Sequence, residues 1–202
     1  LQSDAVATVA AVFPRGGVAI VAGTGSSVRG MLADGSFVGA GGWGHAIGDG
    51  GSAYWIANRG IRLIFDVEDG MEEADIETLR EVVFDFFEVD DKVALLDFHY
   101  KKFLKSTIAD LTGELAKQYL SCDRETCFMS DTSDAVISRL FHDAGVSLGQ
   151  QLRATINKIP EAQQELRENV KVLLIGQVFK SWEVMRQGFV DGLDVTTTGA
   201  KK

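Results

Sequence analysis

The chain has 202 residues, 46% of them hydrophobic and 24% charged, the balance of a folded globular protein of one or two domains rather than a disordered or fibrous chain. A net charge of −9 and a pI near 4.8 argue against nucleic acid or an anionic membrane as the main partner. No window approaches the roughly 18 consecutive apolar residues of a membrane span, and Leu1-Gln2-Ser3-Asp4 carries neither the basic nor the apolar part of a secretory signal. Cys122 and Cys127 are too few for a disulfide framework, and their C-x4-C spacing without a nearby His is a poor zinc signature. They read as reduced thiols of a cytoplasmic protein. Opening on Leu1 rather than Met, the chain is expected to be a piece of something longer.

Taken in chain order, Ala5 to Val12 reads as a helix with Asp4 as its N-cap and Pro14 closing it. Gly17 to Ala22 (GVAIVA) is a β-branched apolar run, hence a buried strand ending at Gly23. Ser27–Leu32 and Ser36–Ala40 flank an Asp34-Gly35 hairpin signal, so the chain opens as a largely antiparallel three-stranded meander. Helical spacing follows over Ala53–Phe65, Glu72–Phe87, Lys92–Thr107 and Ile108–Leu120. The longest helix, Ser133–Lys158, carries Val136, Ile137, Leu140, Phe141, Ala144, Leu148, Leu152 and Ile156 on one stripe and ends at Pro160. Val170–Ile175 is a strand, Gly176 a break, and Lys180–Phe189 a last helix before a polar tail from Asp191. The pattern is α/β, with a site expected at strand ends.

Thirteen of the 22 glycines fall between Gly16 and Gly51. Interrupted as it is by apolar runs, this stretch is a set of tight turns rather than a linker. Gly23-Thr24-Gly25-Ser26 follows the first strand and reads either as a plain turn or as a nest of N–H groups around phosphate oxygens; it is not a Walker A loop. Gly41-Gly42-Trp43-Gly44-His45 reads either as an indole plugging a gap in the core or as a pocket wall for a polar ligand with an apolar face. Asp49, in Gly48-Asp49-Gly50-Gly51-Ser52, is either a turn residue or a carboxylate for ligand hydroxyls. Asp4 alone reads as a cap.

Together, Asp4-Ala5, Gly23-Thr24-Gly25-Ser26, GGWGH at 41–45, Gly48-Asp49 and GSAYWIA at 51–57 resemble the eukaryotic N-acetylglucosamine kinases. These belong to the actin-like ATPase superfamily, in the branch with the benzoyl-CoA-reductase-activating ATPases. The resemblance is dense over 4–57, thins through the helical middle and returns over 171–189. It implies an actin-like ATPase (ribonuclease H-like) lobe, with a mixed sheet opening in an antiparallel meander and packed by several helices. It also implies ATP with Mg2+ as cofactor, a small sugar as partner, and a homodimer, since the family commonly dimerises. On this resemblance Asp4 matches the catalytic aspartate that orients and deprotonates the sugar 6-hydroxyl. Ser26, Ser27, Gly42, Trp43, Gly44 and Asp49 match the sugar site, which Asp4 also touches. Thr24, with Gly23 and Gly25, matches a nucleotide loop, and Ser130 and Gly176 fall near further nucleotide contacts. No metal ligand is assigned.

The chain also departs from the pattern. Ser27 stands where Asn is more usual, Gly50 where the family has Glu, and Gln177 where a small Ser follows Gly176. The family's first phosphate loop has no counterpart here. Residues 1–13 are therefore expected to be the end of an N-terminal lobe, 14–190 a C-terminal lobe and 191–202 a tail, and the chain alone is expected to be nearly inactive. A non-catalytic sugar-binding or interaction module, and a kinase of another amino sugar or hexose, stand as alternatives.

Overall fold

The computed structural model describes residues 4–121 and 133–194. Helix α1 (Asp4–Val12) leads into strands β1 (Gly17–Ala22), β2 (Ser26–Met31) and β3 (Phe37–Gly41). Then come α2 (Ala53–Glu68), α3 (Glu77–Phe87), a π turn (Asp97–Lys101), α4 (Lys105–Ser121) and α5 (Ser133–Ile156). A 3-10 turn (Glu161–Gln163), α6 (Gln164–Glu168), β4 (Val172–Ile175), a second 3-10 turn (Gln177–Ser181) and α7 (Trp182–Asp194) complete the order. The described residues divide into two compact units, 4–52 with 142–194, and 53–121 with 133–141, so that the division falls inside α5.

In the first unit the sheet order is β3-β2-β1-β4. The two hairpin pairs are antiparallel, Ala22 facing Ser26 and Ser27 facing Gly41. The returning β4 lies parallel to β1, with Val21 beside Ile175. This is the expected α/β fold with a mixed sheet. Val18, Ala19, Ile20 and Ala22 are almost wholly buried, as an all-apolar strand covered on both faces must be. Leu32 N–H donates to the Ser36 carbonyl at 2.8 Å across the Asp-Gly turn, where Gly35 has φ of 81°. Hydrogen bonds from the Ser36 hydroxyl and N–H hold the Asp34 carboxyl below its usual range.

Val9 of α1 packs with Ala19 and Met31, and Phe13, Leu173 and Ile175 join them. On the other face Thr155 of α5 lies against Gly30. Farther along, α5 and α7 cross backbone to backbone. The α-carbons of Gly188 and Gly192 meet the carbonyls of His142 and Val146, and those of Gly145 and Gly149 meet the carbonyls of Met185 and Phe189.

In the second unit α2 lies along α4, and α3 packs on both. Ile56, Ile64, Leu79, Leu111, Leu115 and Ile137 are wholly buried. Thr112 Oγ1 donates to the Ala53 carbonyl at 2.6 Å, and Arg139 pairs with Glu72 at 2.6 Å. The Lys92 ammonium, 2.6 Å from Asp69, is held above the ordinary lysine range mainly by that hydrogen bond.

Several elements differ from the sequence reading, the unexpected short helix α6 among them. The expected helix over Lys92–Thr107 is instead a run of turns around the π turn, in which Lys102 N–H reaches the Asp97 carbonyl at 2.7 Å. Phe98 of the π turn packs on Phe87, and Phe103, beyond the turn, on Tyr54. α3 starts at Glu77 rather than Glu72, where the Asp75 carboxylate accepts the Glu77 N–H at 3.2 Å. α7 continues to Asp194, past the Phe189 at which the periodicity ends it.

Candidate functional site

The site lies in the sheet-bearing unit, where β1 and β4 both end. β1 turns into β2 through Gly23, Thr24 and Gly25, closed by Gly23 N–H donating to the Gly25 carbonyl at 3.0 Å. Thr24 is exposed at the tip. Beside it, β4 ends at Gly176, whose φ of 120° and ψ of 164° turn the chain away. A Cβ there would strike the Ala22 carbonyl and Gly23 N, so only glycine lets these two strand ends come this close.

A second layer hangs from the start of β2. Ser26 is buried, and its N–H donates to Asp49 Oδ1 at 3.4 Å. Its hydroxyl donates to the Gly50 carbonyl at 2.7 Å. Asp49 is 4% exposed and sits at φ 57°, a left-handed conformation that costs an L-residue energy and is seen most often in Asn and Asp. Ser52 N–H donates to the Asp49 carbonyl at 3.0 Å, closing the turn just before α2. A buried carboxylate held in an unfavourable backbone conformation, by bonds from a neighbouring strand, is a geometry the surroundings impose.

The third layer is the end of β3. Gly41, Gly42 and Gly44 all have φ above 70°, and Gly44 accepts the Gly48 N–H at 2.7 Å. Trp43 is 74% exposed. The structure thus excludes the reading of Trp43 as a core plug: its neighbours are glycines, which leave the indole standing over an open surface.

Thr24, Ser26, Ser27, Gly42, Trp43, Gly44, Asp49 and Gly176 therefore gather at one end of one sheet. Asp4 opens α1. The chain reverses through 14–16, with Phe13 against Gly17 and Val9 packed with Ala19, so α1 lies against β1. Ser130 lies outside the described residues.

Two contributors were missed by sequence reasoning. Arg29 donates to the carbonyls of Val28, Ala40 and Gly41 at 2.8, 3.0 and 3.2 Å, bracing the glycine-rich strand end; its signal was a lone cation inside the meander. Gln151 of α5 donates from Nε2 to the Gly50 carbonyl at 2.7 Å. Its signal was Ser147, Gln151 and Thr155, a polar line at four-residue spacing beside an apolar stripe.

Chemically, exposed backbone and hydroxyl groups at two converging strand ends suit an anion such as phosphate. A fixed carboxylate beside glycines and an indole suits a ligand with hydroxyls and an apolar face. Among the described residues no cluster of three or more His, Cys, Asp or Glu is arranged to hold a metal ion, and no helix is long and apolar enough to cross a membrane.

Comparison with known proteins fits this picture. An N-acetylmuramic acid/N-acetylglucosamine kinase of Clostridium acetobutylicum is 27% identical over 170 residues, 84% of this chain and 49% of that protein. The solved structure of a candidate N-acetylglucosamine kinase of Chromobacterium violaceum aligns with a TM-score of 0.67 at 21% identity, covering 94% of this chain and 58% of that one. A Porphyromonas gingivalis counterpart aligns at 0.58 and 16% identity, covering 93% and 57%. At these identities the two structures share the fold, and the chain spans about half the length of the relatives it matches. A family model described as the BadF/BadG/BcrA/BcrD ATPase family matches residues 2–194. From that match along nearly the whole chain it follows that this protein belongs to the BadF/BadG/BcrA/BcrD ATPase family.

Proposed function

We propose that this chain is the C-terminal lobe, residues 14–190 with the end of the preceding lobe at 1–13, of a eukaryotic-type kinase. The kinase transfers the γ-phosphoryl group of ATP to the 6-hydroxyl of N-acetylglucosamine. The observation that carries the reading is Asp49, buried and held left-handed by Ser26 at the end of the sheet where Gly176 meets Ala22 and Gly23. Asp49, Ser26 and Ser27 grip the sugar hydroxyls, Gly42 and Gly44 let it approach the backbone, and Trp43 covers its apolar face. Thr24, between Gly23 and Gly25, faces the nucleotide phosphates, with Gly176 beside that loop; a contact of Ser130 with the adenosine rests on the family resemblance alone.

Asp4 orients the 6-hydroxyl and accepts its proton as the oxygen attacks phosphorus. In a loose transition state the proton leaves late, so positioning outweighs basicity. Mg2+, bound with the nucleotide rather than in a side-chain cage, supplies charge neutralisation on the phosphates. The name of the Clostridium relative also favours N-acetylmuramic acid as a second acceptor.

Titration calorimetry of the 202-residue chain with N-acetylglucosamine, alone and with Mg-ATP, tests this reading. Sugar binding that tightens with Mg-ATP and weakens about ten- to a hundredfold in Asp49→Ala is expected, the worth of hydrogen bonds to a charged group. Binding indifferent to nucleotide would favour a sugar sensor, and no binding of either ligand would overturn the reading. N-acetylmuramic acid in the same titration decides the second acceptor.

A further inference from the structure

The Gly50 carbonyl accepts two hydrogen bonds, from Ser26 Oγ and from Gln151 Nε2, both at 2.7 Å. Gln151 Oε1 is buried without a hydrogen-bond partner and lies against the α-carbon of Gly41. Exchanging the amide's O and N would set two acceptors 2.7 Å apart at Gly50, so the orientation is fixed by its partner. A buried acceptor left unsatisfied costs about 1–3 kcal/mol, and such groups in folded proteins usually have a reason. The segment against it is Gly41-Gly42, two consecutive glycines with φ of 73° and 78°. Arg29 pins the peptides that carry the Ala40 and Gly41 carbonyls, so the peptide left to reorient is the one from Gly42 to Trp43, with no Cβ at Gly42 to oppose it. The segment beyond opens to solvent at Trp43.

We propose that Gln151 is a positioning residue of the sugar site. Nε2 pins the Asp49 loop through Gly50, and Oε1 is an acceptor kept for a backbone N–H of the 41–43 segment, engaged when sugar is bound. This rests on the sugar-binding part of the function proposed above. The unliganded protein carries an unmet hydrogen bond; sugar under Trp43 draws the glycines inward and the bond forms. α5, through one side chain, thereby touches both the Asp49 loop and the glycine-rich end of β3.

The test uses the 202-residue chain, N-acetylglucosamine and two variants. Gln151→Met keeps the volume and removes both polar ends. Its thermal midpoint is expected to equal or exceed that of the unmodified chain, because the orphan is gone. Its affinity for the sugar should fall about tenfold, the worth of one hydrogen bond, and its affinity for Mg-ATP should hold. Hydrogen exchange should show sugar-dependent protection of amides 41–44 in the unmodified chain but not in Gln151→Met. Gln151→Glu retains an acceptor and loses the amide donor, so it should keep that protection while amides 48–51 exchange faster.

Unchanged sugar affinity in Gln151→Met would overturn the proposal and leave the kinase reading standing. Loss of sugar and Mg-ATP binding together with a lowered midpoint would reduce Gln151 to a structural role and overturn it as well. An unmodified chain that binds no sugar would remove both readings.

Discussion

In the sheet-bearing unit several glycines lie against backbone of another element, whereas the core over 53–141 is built of buried leucine and isoleucine side chains. Backbone meets backbone where α5 crosses α7 and where Gly176 meets Ala22. In the helical unit even Gly60 is surrounded by the side chains of Leu79, Leu115 and Leu140. Contacts between carbonyls and α-carbons cannot slide to a new arrangement, whereas methyl contacts can repack. The glycine crossings of α5 with α7 and of Gly176 with Ala22 give the candidate site a frame of fixed spacing. That unit should therefore break when atoms are added, and its neighbour when atoms are removed.

Gly188→Val tests the first half most severely. Its side chain has to displace the His142 carbonyl, and a loss of more than about 3 kcal/mol is expected by urea denaturation, beyond the usual range for overpacking. Leu111→Ala removes a wholly buried side chain of the helical unit. It should cost about 3 kcal/mol while leaving N-acetylglucosamine affinity unchanged. Gly113→Ala, in α4 with nothing near the added methyl, should stabilise by about 0.5–1 kcal/mol. The same change at Gly149 should destabilise, and if both stabilised, the contrast between the units would be lost.

The smallest expected effect is on pH dependence, and its sign differs between the units. Lys92, raised by Asp69, stabilises the helical unit fully below the ordinary lysine value. That contribution disappears as pH rises past 10.5 through the folded-state value. Asp191, lowered by its hydrogen bonds from Gln187 and His142, stabilises the other unit above the ordinary aspartate value. Its contribution disappears as pH falls below 3.8 through the folded-state value. Thermal midpoints across pH should show the alkaline slope flattened in Lys92→Met and the acid slope in Asp191→Asn. Both groups are at the surface, so both changes should be slight.

Local signals carried much of the fold. The apolar GVAIVA run, the Asp34-Gly35 turn and the stripe of α5 each specify one structure through short-range geometry. The π turn escaped because nothing marks it locally; the ring that Phe98 packs on there, Phe87, belongs to the preceding helix. The site divides in the same way. The motifs around Gly23 and Asp49 are legible as strings, and they lie at strand ends. That Asp49 is buried and left-handed, that Arg29 braces three carbonyls, and that Gln151 reaches Gly50 from 101 residues away depend on tertiary neighbours that no short window contains.

The three tryptophans differ in surroundings. Trp55 lies under the Arg59 guanidinium, 4.7 Å from its ring centre, and Trp182 is wedged between Phe179 and Phe189, whereas Trp43 stands in solvent. Long-wavelength emission and quenching by acrylamide therefore belong chiefly to Trp43, and a molecule settling over the glycine-rich strand end would announce itself as a blue shift in that one fluorophore.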